Sequence, residues 1–217
     1  MRFGGGSGNQ PFRWSDEWDD SPDSDEYGHE DDIPEGDTDW RRPRGIFILA
    51  PVGGEAGEQI ATLQRRYDPK FASMSAPHIT LAGSSGVGPV AAGTDEQELR
   101  RALEPVARLT PPLELIFGPP TRFMQTNIIS VHLDPNGPIR ELFDRIRASG
   151  LIFGPVRFAF TPHATISYFP TLDRDRQRAL LAERITARAV IDRLELSMTN
   201  DPQPPRRILE IMLEGSR

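Results

Sequence analysis

The sequence predicts an α+β domain: two pseudo-symmetric lobes, antiparallel sheets lining a central cleft, and helices outside. Three observations predict it. First, the segment Pro77-His78-Ile79-Thr80-Leu81 has an echo in Pro162-His163-Ala164-Thr165-Ile166, and each copy sits in a short apolar run. Second, on a strand the residues two apart share a face. His78 and Thr80 therefore point one way and Ile79 and Leu81 the other, and His163 and Thr165 repeat the pattern above Ala164 and Ile166. Third, each motif strand lies between two stretches of helical spacing, and strands close each half, which sets helices outside a sheet-lined groove.

Residues 1–44 read as a disordered acidic tail, and 45–217 as the folded domain. The tail opens with Gly4-Gly5-Gly6-Ser7-Gly8 and continues in Asp, Glu, Ser and Pro with no helical or strand period. It holds 13 acidic and 5 basic residues, which leaves 19 acidic and 20 basic in the other 173 positions. The net charge of −7 thus belongs to the tail. With Trp14, Trp18 and Trp40 set among its acids, the tail reads as a solvating extension, or alternatively as a segment that covers a phosphate-binding cleft or docks a protein partner.

In the domain, Ile46 to Ala50 is a short apolar run closed by Pro51 and Gly53-Gly54, which suits an inner strand. Ile60, Leu63 and Tyr67 follow helical spacing, and Asp68-Pro69 ends that helix. The first motif strand spans about 77–82, followed by a glycine- and serine-rich loop from Gly83 to Gly93. Thr94-Asp95-Glu96-Gln97 reads as a capping box opening a helix with Leu99, Leu103 and Val106 inward, which Pro105 should kink or end. Leu113 to Phe117 alternates as a strand, and Gly118-Pro119-Pro120 turns into strand-like residues up to Leu133. Ile139, Leu142, Phe143 and Ile146 form an amphipathic helix closed by Gly150. After the second motif strand, about 163–169, Asp173 starts a helix with Leu180, Leu181 and Ile185 inward. Two strands, near 188–199 and 206–214, flank a turn at Asp201-Pro202.

Composition narrows the function. The absence of cysteine excludes disulfides, thiolate metal sites and thiol catalysis. No apolar run approaches the roughly 20 residues of a membrane span, and the N-terminus has no apolar signal core, so the expectation is a cytoplasmic, monomeric protein. Two histidines and two hydroxyls in matched pairs suit the opening of a phosphate ester. A base must take a proton from the nucleophile, an acid must protonate the leaving oxygen, and imidazole serves either role near neutral pH. Charge building on the non-bridging oxygens needs donors, which Thr80 and Thr165 can supply. A metal site would need a third ligand, and no Asp or Glu stands at zinc-site spacing from either histidine.

The doubled His-x-Thr-x, each copy preceded by proline and about 80 residues apart, resembles the two-histidine (2H) phosphoesterase superfamily, which includes the LigT-like 2′-5′ RNA ligases and RNA 2′,3′-cyclic phosphodiesterases. The resemblance covers about 45–215. It implies chemistry without metal or cofactor, acting on an RNA terminus or small nucleotide, with His78 as general acid and His163 as general base in hydrolysis to a 2′-phosphate. Spacing alone leaves those two roles open, and they exchange in the ligating direction. The alternatives are the same chemistry on a 2′-5′-linked or signalling nucleotide or an ADP-ribose cyclic phosphate, and a module that binds a phosphorylated ligand or RNA without turnover. Tyr168 is a candidate for base stacking, against a packing role, and departs from the arginine that some relatives carry there. Arg122 and Arg157 are candidates for a second phosphate, against solvated strand ends. Phe47 is a candidate stacking platform, against a core role, and His132, on a face with Ser130, reads as an ordinary strand histidine, against a face that looks into the groove.

Overall fold

The computed structural model describes residues 45–123, 126–156, 158–169, 171–199 and 205–216. The acidic tail, Arg157 and the Asp201-Pro202 turn lie outside them.

The chain runs β1 (Gly45–Pro51), α1 (Gly54–Tyr67), α2 (Pro69–Met74), β2 (His78–Ala82), α3 (Glu96–Arg108), β3 (Leu113–Leu115), β4 (Pro120–Arg122), β5 (Ile129–His132), α4 (Pro138–Arg147), β6 (His163–Ser167), α5 (Arg174–Ala182), β7 (Ala189–Ile191), β8 (Arg193–Thr199) and β9 (Arg206–Met212). This is the expected α+β order with antiparallel pairing. The strands form one seven-stranded sheet, β4-β5-β6-β2-β1-β8-β9, and a small β3-β7 pair. The strands of the two halves run on in one sheet, and the two motif strands, β2 and β6, are neighbours at the seam.

Alternation sorts the sheet into two faces. Ile46, Ile48 and Ala50 of β1, Ile79 and Leu81 of β2, Ala164 and Ile166 of β6, and Leu194 and Leu196 of β8 are fully buried at the back. They join one core with Ile60 of α1, Leu99 and Leu103 of α3, and Ile139, Leu142 and Ile146 of α4. The front-face residues between them, including both motif pairs, are only partly covered.

Local chemistry departs from the sequence expectation in three places. Asp68 does not only end a helix: it closes α1 and caps α2, accepting the Phe71 N–H at 3.0 Å with Pro69 at the first helical position. The cap of α3 is Asp95, whose carboxylate accepts the Glu98 N–H at 2.7 Å, so the Thr94–Gln97 box is not the one used. Pro105 lies inside α3 without ending it. The last turn is held from outside, because Val106 and Ala107 are core residues and the Ala107 carbonyl accepts the Glu214 N–H. Asp173 caps α5 as expected, accepting the Arg176 N–H at 2.8 Å.

Candidate active site

The site is built on the seam. β2 and β6 pair antiparallel through Ile79 and Ala164. In that register Thr165 stands opposite His78 and His163 opposite Thr80, all four on the front face. The two histidines are diagonal neighbours, with side-chain roots about 7–8 Å apart in such a ladder. That spacing suits one tetrahedral phosphate between two rings. Gln64 of α1, itself buried, donates its side-chain N–H to the Thr165 carbonyl at 2.9 Å and so ties β6 to the helix behind it.

Both rings are held in the same way. The Nδ1–H of His78 donates to the Ala76 carbonyl at 2.8 Å, with Ser75 Oγ 3.2 Å from the same nitrogen. The Nδ1–H of His163 donates to the Thr161 carbonyl at 2.7 Å. A carbonyl can only accept, so Nδ1 carries the proton and Nε2 is left for chemistry. The motif prolines explain the arrangement: Pro77 and Pro162 restrict ψ of the residue before them, which aims the carbonyl the imidazole uses.

Burial lowers the pKa of both histidines from the ordinary value. For His78 the neighbouring charge of His163 lowers it further, while the Ala76 carbonyl and Glu195 pull back upward. For His163 the Thr161 carbonyl partly offsets burial. The rings thus rest largely neutral at pH 7 and sense each other's charge, so protonating one discourages protonation of the other.

The family model for the 2′-5′ RNA ligase superfamily matches residues 52–202, a stretch that contains both motif strands. The chain belongs to the 2′-5′ RNA ligase superfamily. It is 33% identical over 126 residues to a Geobacillus kaustophilus protein named "Putative phosphoesterase", a match covering 56% of this chain and 66% of that one. The chain thus spans just under two-thirds of that relative's length. Among solved structures it is similar to TT0787 of Thermus thermophilus, with a TM-score of 0.53, 16% identity, and coverage of 79% of this chain and 99% of that one. Against E. coli LigT complexed with phosphate the TM-score is 0.51 at 16% identity, covering 81% and 99%. These two likenesses are of fold.

In this superfamily member the remaining candidates fall into different places. Phe47 is on the front face, one register step from Leu49, which pairs with Thr80, and its ring packs over Gly83. Tyr168 follows β6 at the His78 end of the seam; it is 52% exposed and stacks on Phe71 of α2, with centroids 6.0 Å apart. Arg122 pairs with the core residue Ile129, so the register puts it on the opposite face from the motif side chains.

Sequence reasoning gives two other groups less weight than the structure does. The buried Asp68 carboxylate receives the Tyr168 N–H at 2.8 Å and the Phe169 N–H at 2.9 Å, with the Ser167 hydroxyl at 3.3 Å, fixing the exit of β6. His132 pairs with His163 across β5 and β6, and their ring centroids lie 5.6 Å apart. Alternation places His132 on a face with Ser130, but nothing local says which strand lies alongside.

Proposed function

We propose that this protein is a metal-independent phosphodiesterase that hydrolyses a 2′,3′-cyclic phosphate, on an RNA end or small nucleotide, to a 2′-phosphate. The observation that carries the reading is the pairing of β2 with β6, which turns both His-x-Thr pairs onto one face with each Nδ1 anchored and each Nε2 available. Membership of the superfamily supports phosphoesterase chemistry, and a LigT of the same fold was crystallised with phosphate.

In the proposed reaction a water oxygen attacks phosphorus and gives its proton to Nε2 of one histidine. The bond from phosphorus to the 3′ oxygen breaks, and that oxygen takes a proton from Nε2 of the other histidine, which enters the reaction as imidazolium, protonated on both nitrogens, while the base enters neutral. In the reading that the family resemblance implies, His163 is the base and His78 the acid. Thr80 and Thr165 donate to the non-bridging oxygens as charge grows there. The two imidazoles account for both proton transfers, so the scheme has no step for a metal to perform. Tyr168, exposed at the end of the site, stacks the base. A balance of 19 acidic to 20 basic residues outside the tail favours a short end or nucleotide over a long RNA, whose affinity grows with the number of phosphates neutralised.

The test is hydrolysis of nucleoside 2′,3′-cyclic phosphates in the presence of chelator. Turnover should persist there and fall by about 100-fold or more in each of His78→Ala and His163→Ala. Abolition by chelator, or activity surviving either substitution, would overturn the reading. Binding of the cyclic phosphate without turnover would favour the non-catalytic module.

A further inference from the structure

The two halves of the site repeat each other at the motif but differ in the strand alongside it. Beside β2, the residues opposite His78 and Thr80 are Pro51 and Leu49 of β1, which are apolar. Beside β6, the residues opposite His163 and Thr165 are His132 and Ser130 of β5. Packing next to a motif strand therefore does not require polar groups, since the equivalent positions in the other half do without them.

The polar pair is organised. Ser130 is fully buried, and its hydroxyl lies 3.0 Å from Nε2 of His132, its one hydrogen-bond partner among the described residues. Nδ1 of His132 has no hydrogen-bond partner among the described residues. Phe123 sets its ring edge-on to both His132 and His163, at 5.0 and 4.9 Å, so the two imidazoles form one cluster on a common support. Thr121 of β4 stands opposite Ser130 in the same row and adds an exposed hydroxyl. When the buried serine hydroxyl donates to Nε2, the His132 proton sits on Nδ1, and the ring offers a donor even while neutral. This donor lies one strand further from the seam than His163.

We propose that Ser130 and His132 form a positioning pair for a second phosphate of the substrate: the 5′-phosphate of the nucleotide whose 2′,3′-cyclic phosphate sits on the seam, or the equivalent internucleotide phosphate of an RNA end. This inference rests on the phosphodiesterase reading for the position of the first phosphate. It makes the β5 side of the site the one that distinguishes a bare nucleoside cyclic phosphate from one that continues on its 5′ side.

Two measurements test it, one with turnover and one without. Kinetics compare adenosine 2′,3′-cyclic phosphate with its 5′-phosphorylated form. The wild type should prefer the latter by about tenfold in kcat/KM, what one hydrogen bond to a charged group supplies. His132→Ala and Ser130→Ala should bring the two substrates to equal kcat/KM, the lost preference appearing as a rise in KM for the 5′-phosphorylated form relative to the bare one. His132→Gln, which keeps an N–H donor, should retain part of it. Calorimetry compares binding of adenosine 2′,5′-bisphosphate with adenosine 2′-phosphate and should show the same preference and the same loss. Equal affinity of the wild type for the two ligands, or a loss in His132→Ala that is the same on both, overturns the inference. A wild type that hydrolyses neither substrate yet binds the bisphosphate preferentially through His132 overturns the phosphodiesterase reading and leaves the pair standing.

Discussion

Replacing Asp68 separates the scaffold of the site from its chemistry. Its Oδ1 accepts the Phe71 N–H, while Oδ2 accepts the Tyr168 and Phe169 N–H groups and faces the Ser167 hydroxyl. Asparagine keeps one acceptor oxygen and replaces the other with a donor. It can serve the Tyr168–Phe169 side only by turning an amide NH2 toward the Phe71 N–H, or the reverse. The smaller loss leaves one capping bond unmade, about 1–2 kcal/mol. Alanine leaves all three backbone N–H groups without their carboxylate, and the expected destabilisation is about 3–5 kcal/mol. Urea unfolding at pH 7.5 measures both, read from the midpoint at constant slope. KM for a nucleotide should rise in both variants, because Tyr168 is carried by the segment released. If Asp68→Ala lies within about 1 kcal/mol of the wild type, the carboxylate does not staple β6 to α2 and this account of the site's support is wrong.

Four other outcomes follow from the same geometry. Gln64→Ala should cost about 1 kcal/mol for the bond to the Thr165 carbonyl and lower kcat/KM, and an unchanged kcat/KM would show that Thr165 is positioned by the ladder alone. Gly83 has φ +155°, and a β-carbon there would lie 2.2 Å from the Phe47 ring, so Gly83→Ala should destabilise by about 1–3 kcal/mol, and a thermal melt with an unchanged midpoint would refute this. Burial holds His78, His132 and His163 below the ordinary histidine pKa of about 6.5, so stability should be fully present above that pH and fall as acidification protonates the unfolded chain first. Each histidine adds up to about 1.4 kcal/mol per pH unit in that window, so His78→Gln should show a shallower decline in urea midpoint between pH 7.5 and 5.5 than the wild type. Pro162→Ala frees the Thr161 carbonyl that holds Nδ1 of His163, and kcat should drop several-fold while the fold is kept, as circular dichroism would verify.

Much of this architecture is legible in the sequence because the informative patterns are local. Alternation in each His-x-Thr-x run assigns the face of every motif side chain, and the stripe Ile139, Leu142, Phe143 and Ile146 marks α4 and its buried side. What stays hidden depends on distant parts of the chain meeting. No local signal states that β2 lies next to β6, so the sequence places the two motifs at one cleft without saying that their strands pair. His132 looks ordinary for the same reason, since its significance comes from the neighbour the ladder gives it. Asp68-Pro69 reads as a stop, though the same pair serves as stop and start, with aspartate capping and proline suiting a first turn. Of the two outcomes expected at Pro105, a kink or an end, the end does not come there: α3 runs on to Arg108, with Val106 and Ala107 packed in the core.

The seam between β2 and β6 also shapes how the protein is made. β1, α1 and β2 come first along the chain and can associate early, whereas β6 belongs to the second half and is synthesised much later. Until it arrives, β2 shows a bare row of peptide N–H and C=O groups, which invites pairing with the same strand of another nascent copy. A fragment ending before His163 should therefore self-associate, and the strand that completes the candidate site would also be the one that keeps the newborn chain soluble.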